Sequence, residues 1–309
     1  SLKEGHVSPN ASSRIRIACD VFDGLGRQQQ SVIRRNSSDL CNTAALTEQD
    51  ARYVVTDSWL PVPYKGDSFL ISTLLKSNAI SYYEDSYPYA STTYEASPLS
   101  RETASTIAGS VYQPHPATIE YGTNMANEVI RWAVSSDEII GDSYYPQGSL
   151  SKTTTTNEDG KKVIVYKDYQ DRLILQKQGN DTLWAYTYFV YDAYSRLTYV
   201  LPPEIVTLMQ TNLFYTESHP LIKRYAYIYH YDSRDMLTYK KMPGCEPIWM
   251  IYDKAEKLIL SQDGNQRTRG NFWIYNAYDE TNRLLYQAEV RLNNASYATL
   301  TQAYKALIC

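Results

Sequence analysis

The side chains able to do acid–base or metal chemistry in this chain are four histidines, four cysteines and a few paired carboxylates, and their spacing limits each of them. His6, His115, His219 and His230 are scattered, none has a second histidine three or four residues away, and H-E-x-x-H is absent. His230 sits inside the alternating stretch YIYHYD and reads as a strand histidine, packed or at the surface. Glu84-Asp85, Asp137-Glu138 and Glu158-Asp159 are adjacent carboxylates; neighbours in a strand face opposite ways, so they do not form the facing pair that glycoside hydrolysis needs. Cys19, Cys41, Cys245 and Cys309 follow no C-x-x-C or zinc spacing. A Cys19–Cys41 disulfide stays open for an oxidising compartment, with buried free thiols as the common alternative. There is no G-x-S-x-G elbow and no phosphate-binding G-x-x-x-x-G-K-[ST]; DGLGRQQ has two glycines where a dinucleotide turn needs three. No catalytic, cofactor or metal residue is assigned, and the chain reads as a non-enzyme.

What the sequence does repeat is an aspartate. Asp168/Arg172, Asp192/Arg196 and Asp279/Arg283 share one offset, each followed by leucine. Asp23/Arg27 is a further copy, Asp232/Met236 and Asp253/Lys257 are looser, and Asp50 has Val54 in the arginine place. Tyrosine precedes the aspartate at Tyr191, Tyr231, Tyr252 and Tyr278. Successive aspartates are 27, 118, 24, 40, 21 and 26 residues apart, a period of a little over twenty broken by two insertions. A second marker, WLPVP, VLPPE or KMPGC, follows three copies at nearly constant distance. The order of a calcium loop, D-x-[DN]-x-[DN]-G, is missing, so these aspartates read as structural.

Each copy has the pattern of a β-hairpin. TLWAYTYFVY, IKRYAYIYHY, EPIWMIY and NFWIYNAY alternate aromatic and β-branched residues before the aspartate, and a second short run follows the arginine. Aspartate at a turn entrance accepts a bond from the backbone N–H two residues on. An arginine leaving the turn lies across from it and sets register more than stability. Gly24 and Gly26 are expected to supply positive φ in the first copy. Asp159-Gly160 and Asp263-Gly264 mark further reversals. Helical spacing appears at 66–85, with Asp67 or Ser68 as cap, and at 202–214; residues 118–136 read as a short helix or a strand. The expected fold class is therefore mainly β: antiparallel hairpin repeats in an extended, curved sheet with two or three inserted helices.

Composition agrees. Thirty tyrosines stand beside 5 Phe and 5 Trp, a skew suited to pleated sheet with one wet face or to a tyrosine-lined surface. With 30 basic and 34 acidic residues and no basic stripe, neither nucleic acid nor an anionic membrane surface is indicated as a partner. No apolar run is long enough to insert as a transmembrane helix. Opening on SLKEGH and closing on YKALIC, the chain reads as a piece of a longer polypeptide.

The Tyr-Asp and Arg-Leu hairpin phrase resembles the YD-repeat, or Rhs-repeat, proteins. FDGLGRQQQSV, DSWLPVP, YEASPLSRE, YYPQGSLSKTTTTNEDGKKVIVYKDYQDRLILQKQ and VYDAYSRLTYVLPP, in that order, look like the amino-terminal module of unknown function that precedes YD repeats in large surface or secreted proteins of Bacteroidota. The resemblance implies a module over 1–150, holding two degenerate repeats and an inserted helical and extended segment. It implies a repeat sheet over 151–309 with a helical insertion near 202–214. It further implies strands winding into a shell that in relatives encloses a carboxy-terminal effector, an extracellular or cell-surface location, and the rest of a longer chain as first partner. Two non-catalytic functions follow: a scaffold, or a module binding glycan or a surface protein through exposed rings, for which Trp59, Trp132, Tyr144 and Tyr145 outside the hairpin strands are the candidates.

Overall fold

The computed structural model describes residues 17–34, 41–65, 70–135, 137–180, 182–209, 213–292 and 296–306. Two compact units divide it, residues 1–120 with 155–161 and residues 121–154 with 162–309. In chain order the elements are β1 (Ala18–Phe22), β2 (Gln28–Ile33), β3 (Asn42–Gln49), β4 (Val55–Trp59), β5 (Val62–Tyr64), α1 (Ser72–Tyr83), β6 (Tyr89–Tyr94), β7 (Glu102–Thr106) and β8 (Ala117–Thr123). They continue with β9 (Ile130–Ser135), β10 (Glu138–Tyr144), β11 (Ser151–Thr156), β12 (Lys162–Lys167), β13 (Leu173–Gly179), β14 (Trp184–Tyr191), β15 (Leu197–Leu201), α2 (Pro203–Met209) and β16 (Phe214–Thr216). The remainder is α3 (Pro220–Tyr225), β17 (Tyr227–Tyr231), β18 (Leu237–Lys241), β19 (Ile248–Tyr252), β20 (Leu258–Gln262), α4 (Gly264–Gly270), β21 (Phe272–Tyr278), β22 (Leu284–Arg291) and α5 (Tyr297–Ala306). The class is the expected one: mainly β, with antiparallel hairpins laid side by side as an extended, curved sheet.

Every repeat-aspartate turn obeys one backbone geometry. The Asp192 N–H donates to the Arg196 carbonyl at 3.0 Å, and the Ser195 N–H returns to the Asp192 carbonyl at 3.0 Å. The Asp192 Oδ1 accepts from the N–H groups of Tyr194 and Arg196, both at 2.9 Å, and Oδ2 accepts from Arg196 Nε at 2.8 Å. Asp23, Asp168 and Asp279 repeat this set. The fourth turn residue is left-handed each time: Gly26, Tyr53, Asp171, Ser195, Asp235, Glu256 and Asn282, with φ between 61 and 79°. Only one of these is glycine, so the carboxylate's bonds hold six other side chains in a conformation they disfavour by about 1 kcal/mol or more. Gly24, expected to share the role of Gly26, does not adopt a positive φ. Past the turn the ladder bulges: Tyr191 faces Leu197 but Val190 faces Tyr199, and the same one-residue slip follows each repeat aspartate.

The joints between hairpins are equally uniform. Counting from each repeat aspartate, the residue seven places on pairs with the residue four places before the next acidic turn residue. The pairs are Gln30↔Leu46, Asp57↔Ser91, Leu175↔Tyr188, Tyr199↔Ile228, Tyr239↔Trp249 and Leu260↔Tyr275. One register thus survives connections of very different length. Insertions leave from the edge opposite the turns, where closing a longer loop adds little entropy. Pro61 splits one strand run into β4 and β5, both pairing with β3, because proline has no N–H for the ladder.

Helices cover one sheet face in each unit. In the first, Leu75 and Ala79 of α1 pack on Val32, Leu46, Trp59 and Val62. In the second, Ile205, Met209 and Ile222 of α2 and α3 join Leu175, Tyr188, Tyr199, Leu201 and Ile228, together with Trp132 and Ile139 from the small sheet β9–β10–β16. Trp273, Ile251 and Leu260 form a separate cluster under Tyr297 and Leu300 of α5. Among the described residues five helices are present where two or three were expected. The extra ones have weak sequence periodicity: α3 is held by His219 capping Leu221 N–H, and α4 by Asp263 and Gln266 in a reciprocal capping box. Asp263-Gly264 therefore starts a helix and not a hairpin. The described part of 118–136 holds the strands β8 and β9 joined by a loop at 124–129, and α1 begins after Ile71 without a side-chain cap, the expected caps Asp67 and Ser68 lying outside the described residues. Asn157 also heads a repeat-type turn, accepting from Lys161 N–H with Gly160 at φ 75°, so the expected Asp159-Gly160 reversal is capped two residues earlier.

The left-handed position gives a direct test. The Glu256 side chain is exposed and its φ is 61°. Glu256→Gly should leave stability unchanged or raise it by up to about 1 kcal/mol, while Glu256→Val should lower it by about 1–2 kcal/mol, in urea melts. Equal loss from both would mean the side chain, not the backbone, matters.

Candidate functional site

The recurrent side chains meet at the turn edge of each unit, and at the internal joints the arginine and the tyrosine reach beyond their own hairpins. Arg172 donates from its guanidinium to Ser195 Oγ at 2.8 Å, and Arg196 to the Asp232 carbonyl at 3.1 Å and Asp235 Oδ1 at 3.0 Å. The same cations lie over the tyrosine of the following repeat, Arg172 at 5.0 Å from the Tyr191 ring and Arg196 at 5.2 Å from Tyr231. The tyrosine hydroxyl completes the joint by donating back to the carbonyl after the previous arginine: Tyr191 to Leu173 at 3.0 Å and Tyr231 to Leu197 at 2.9 Å. Tyr278 does the same to Leu258 at 3.1 Å. The phrase Tyr-Asp…Arg-Leu is therefore two half-staples, with the tyrosine pointing to the preceding hairpin and the arginine to the next.

Two features of this site escaped sequence reasoning. Where the arginine place holds Val54 or Met236, an arginine two residues after the aspartate takes over. Arg52 bonds Asp50 Oδ2 at 2.9 Å and reaches the Glu95 carbonyl; Arg234 bonds Asp232 Oδ2 at 3.0 Å and reaches the Asp253 carbonyl. The second is a hairpin headed by glutamate. Glu95 accepts Arg101 Nε and its terminal nitrogen, both at 2.8 Å, with Ser100 left-handed, and Tyr94 donates to the Val55 carbonyl at 2.9 Å. Its signal was YEASPLSRE, where the longer acid pairs across a turn two residues longer. Two joints depart from the rule: Gln49 stands in the tyrosine place before Asp50, and the other is at Tyr252. Tyr252 donates to Met250 Sδ at 3.8 Å and not to Leu237, and beside it a cavity of about 600 Å³ is lined by Asp232, Tyr252, Lys254 and Tyr297.

The electrostatics follow from the bonds. The Arg27 side chain and backbone hold the Asp23 carboxyl at about 2. The Arg283 backbone N–H, with Thr281, holds Asp279 at about 2. For Asp168 and Asp232 burial pushes upward, but the turn's donors outweigh it and both lie below the ordinary range. Glu128, outside the repeat, is pushed up by burial and held at about 2 by Tyr166, the Met125 N–H and Lys152. Lys152 and Lys177 both pair with this one carboxylate and both lie over the Tyr166 ring. Glu217 accepts from Tyr199 at 3.0 Å and contacts His230 Nε2 at 2.8 Å; burial raises its pKa but His230 brings the net direction down. The His230 ring stacks on Tyr239 at 4.6 Å, a packed strand histidine.

At Asp23, Asp50, Asp168, Asp192, Asp232 and Asp279 both carboxylate oxygens are engaged by donors of the turn, whereas Asp253 accepts the Lys257 N–H on Oδ1 at 2.9 Å. The four candidate rings do not converge. Trp59 is buried under α1, donating to Glu48 Oε2 at 2.8 Å and stacking on Tyr89 at 4.6 Å. Trp132 is buried in the other unit against Tyr188. Tyr145 packs on that same core, and only Tyr144 is exposed. Trp132 and Tyr145 line one cavity with Phe189 and Tyr191, while Trp59 is core beneath α1. Cys19 is a free, exposed thiol, so it is not bridged to Cys41.

A sheet of capped hairpins, stapled one to the next by tyrosine and arginine, is a repeat architecture with no reactive centre in its recurrent residues. A family profile described as Domain of unknown function (DUF6443) matches residues 5–125, the stretch in which the resemblance placed such a module. No curated protein matches the chain. Among solved structures, the fold is similar to TcdB2-TccC3-TEV, with TM-score 0.60 and 14% identity over 91% of this chain and 13% of that one. It is similar to TcdB2-TccC3 at TM-score 0.59 and to a Photorhabdus luminescens Tc holotoxin pore at 0.58, with the same identity and coverage. The likeness is one of fold, and this chain spans 13% of the length of those chains. No helix among the described residues is long and apolar enough to cross a membrane.

Two measurements check the site. Tyr231→Phe removes one staple bond and should lower stability by about 1 kcal/mol with the fold intact by circular dichroism. For pH, carboxylates held below their unfolded value of 3.8 stabilise fully above that value and lose the contribution as pH falls toward about 2. The melting temperature should be flat from neutral to about pH 5 and drop below about pH 4, and Asp279→Asn should blunt that drop.

Proposed function

We propose that this chain is a non-catalytic scaffold, a section of hairpin-repeat wall in a larger secreted or surface protein of the Bacteroidota YD-repeat type, with residues 1–150 as its leading module and 151–309 as repeat sheet. The observation that carries this is the internal use of the recurrent side chains at the joints between hairpins. The acceptor positions of the Asp192 carboxylate, the Tyr191 hydroxyl and the Arg196 guanidinium are each spent on the turn or the neighbouring hairpin. Residues repeated for catalysis or recognition would leave donors and acceptors facing solvent. The similarity of fold to TcdB2-TccC3 structures supports a wall, and by that analogy the longer protein would enclose or present an effector. The burial of Trp59 and Trp132 counts against glycan stacking by the rings that sequence singled out.

Asp192→Ala should lower stability by about 1–2 kcal/mol through loss of the turn cap. The decisive screen is thermal shift and glycan-array binding across host and bacterial polysaccharides. The scaffold reading expects no shift; a reproducible shift with one sugar class would replace it with a binding module.

A further inference from the structure

The cavity beside Trp132 and Tyr145 is bordered by polar groups that the hairpin joints leave unused. It measures about 270 Å³ and runs along β9, whose residues 130–134 all line it, facing Tyr145, Ile174, Phe189 and Tyr191. Among the described residues β9 pairs with β10 alone, so the cavity follows an unpaired strand edge and residues from both faces of β9 border it. Three donors here lack an acceptor. Trp132 is 9% exposed, yet its indole N–H has no partner among the described residues, an arrangement folding disfavours unless something accepts from it. The exposed Arg131 guanidinium and the Tyr145 hydroxyl likewise make no hydrogen bond to a described residue. Burial raises the pKa of the Tyr145 phenol and the Asp168 charge adds to this, while Arg131 and Arg172 oppose it, so both guanidiniums stand near the hydroxyl. The carboxylates nearby are already engaged, Asp168 by Arg172 and Asp192 by Arg196. Arg131 is the cation left over.

We propose that this cavity binds a small organic acid, a carboxylate carried on an aromatic or branched aliphatic body. The carboxylate accepts from the Arg131 guanidinium, the Tyr145 hydroxyl and the Trp132 indole N–H, and the apolar body lies against Ile174, Phe189 and the Tyr191 ring. Charge selects the ligand, because a guanidinium without a carboxylate partner, set beside uncharged rings, is complemented by one anion. Size selects it too: about 270 Å³ holds one ring and a short acid chain, and not an oligosaccharide. Sugar hydroxyls would each bring a donor, and the carboxylate on the rim, Asp192, already accepts from Tyr194 and Arg196 through both oxygens. The site is independent of the scaffold reading and gives a section of wall a ligand of its own.

Titrating the 309-residue protein with 3-phenylpropionate should show one saturable site, with 3-phenyl-1-propanol and glucuronate each at least about tenfold weaker. The Arg131→Gln protein should lose about tenfold in affinity for the acid at an unchanged melting temperature, because that side chain is exposed. In a proton–nitrogen correlation spectrum the Trp132 indole proton, identified by its loss in the Trp132→Phe protein, should move downfield as the acid saturates. Equal binding of acid and alcohol, an unmoved indole proton at saturation, or full affinity in the Arg131→Gln protein would overturn the proposal. Glucuronate binding as tightly as the aryl acid would also overturn it, in favour of a saccharide. A folded protein that ignores millimolar acid would remove the site yet leave the scaffold reading intact, because that reading is judged by the turn variants and the polysaccharide screen.

Discussion

The structure depends on the carboxylate that heads each repeat turn, which at Asp23, Asp50, Asp168, Asp192, Asp232 and Asp279 bonds two backbone N–H groups and a guanidinium. A four-residue turn with a left-handed fourth residue would ordinarily ask for glycine there, yet tyrosine, serine, glutamate, asparagine and aspartate occupy it. The aspartate makes that possible by collecting donors that only this backbone conformation presents together. Once the turn is set, the bulge after it is set, and with it the face on which each following side chain falls. A shift of one residue at the turn would exchange buried Tyr199 for half-exposed Val200 along the whole strand.

Uniform joints follow from uniform turns. Tyrosine and arginine act across the gap between hairpins, at right angles to the chain's own connectivity, so a joint is indifferent to how far apart its members are in sequence. Tyr231 reaches Leu197 across 34 residues and Tyr278 reaches Leu258 across 20, with the same bond. Stability in such an array is a sum over neighbours, and insertions such as α2–β16–α3 are tolerated at the free edge provided they bury their own apolar face. They do so by covering the sheet, which is why the large aromatic residues sit beneath them.

The abundance of tyrosine has the same origin. A ring at a joint packs as part of a pleated surface while its hydroxyl must meet a carbonyl or a carboxylate. Phenylalanine would leave the Leu173, Leu197 and Leu258 carbonyls one partner short. Tyr166 and Tyr199 carry the logic into the core, each giving its hydroxyl to a glutamate, and burial beside those carboxylates drives both phenols upward in pKa. These protons are structural and stay in place at any physiological pH.

The repeat, its hairpin and its turn aspartate were legible in the residues themselves, because capping acts over four positions and alternation over two, distances that a sequence displays directly. So were α1 and α2, whose apolar spacing is helical. Short helices α3 and α4 were not, since their caps rather than their periodicity hold them. The compensating arginines Arg52 and Arg234 were not either, because two positions along a turn can deliver a guanidinium to one carboxylate and only the folded turn shows both. The destiny of Trp59 and Trp132 was decided entirely by tertiary structure: an aromatic outside a strand repeat is as fit for a ligand groove as for a core until helices are seen to lie over it. Local bonds fixed what each hairpin is; which hairpins meet, and in what register, came from side chains reaching between segments that the chain itself keeps far apart.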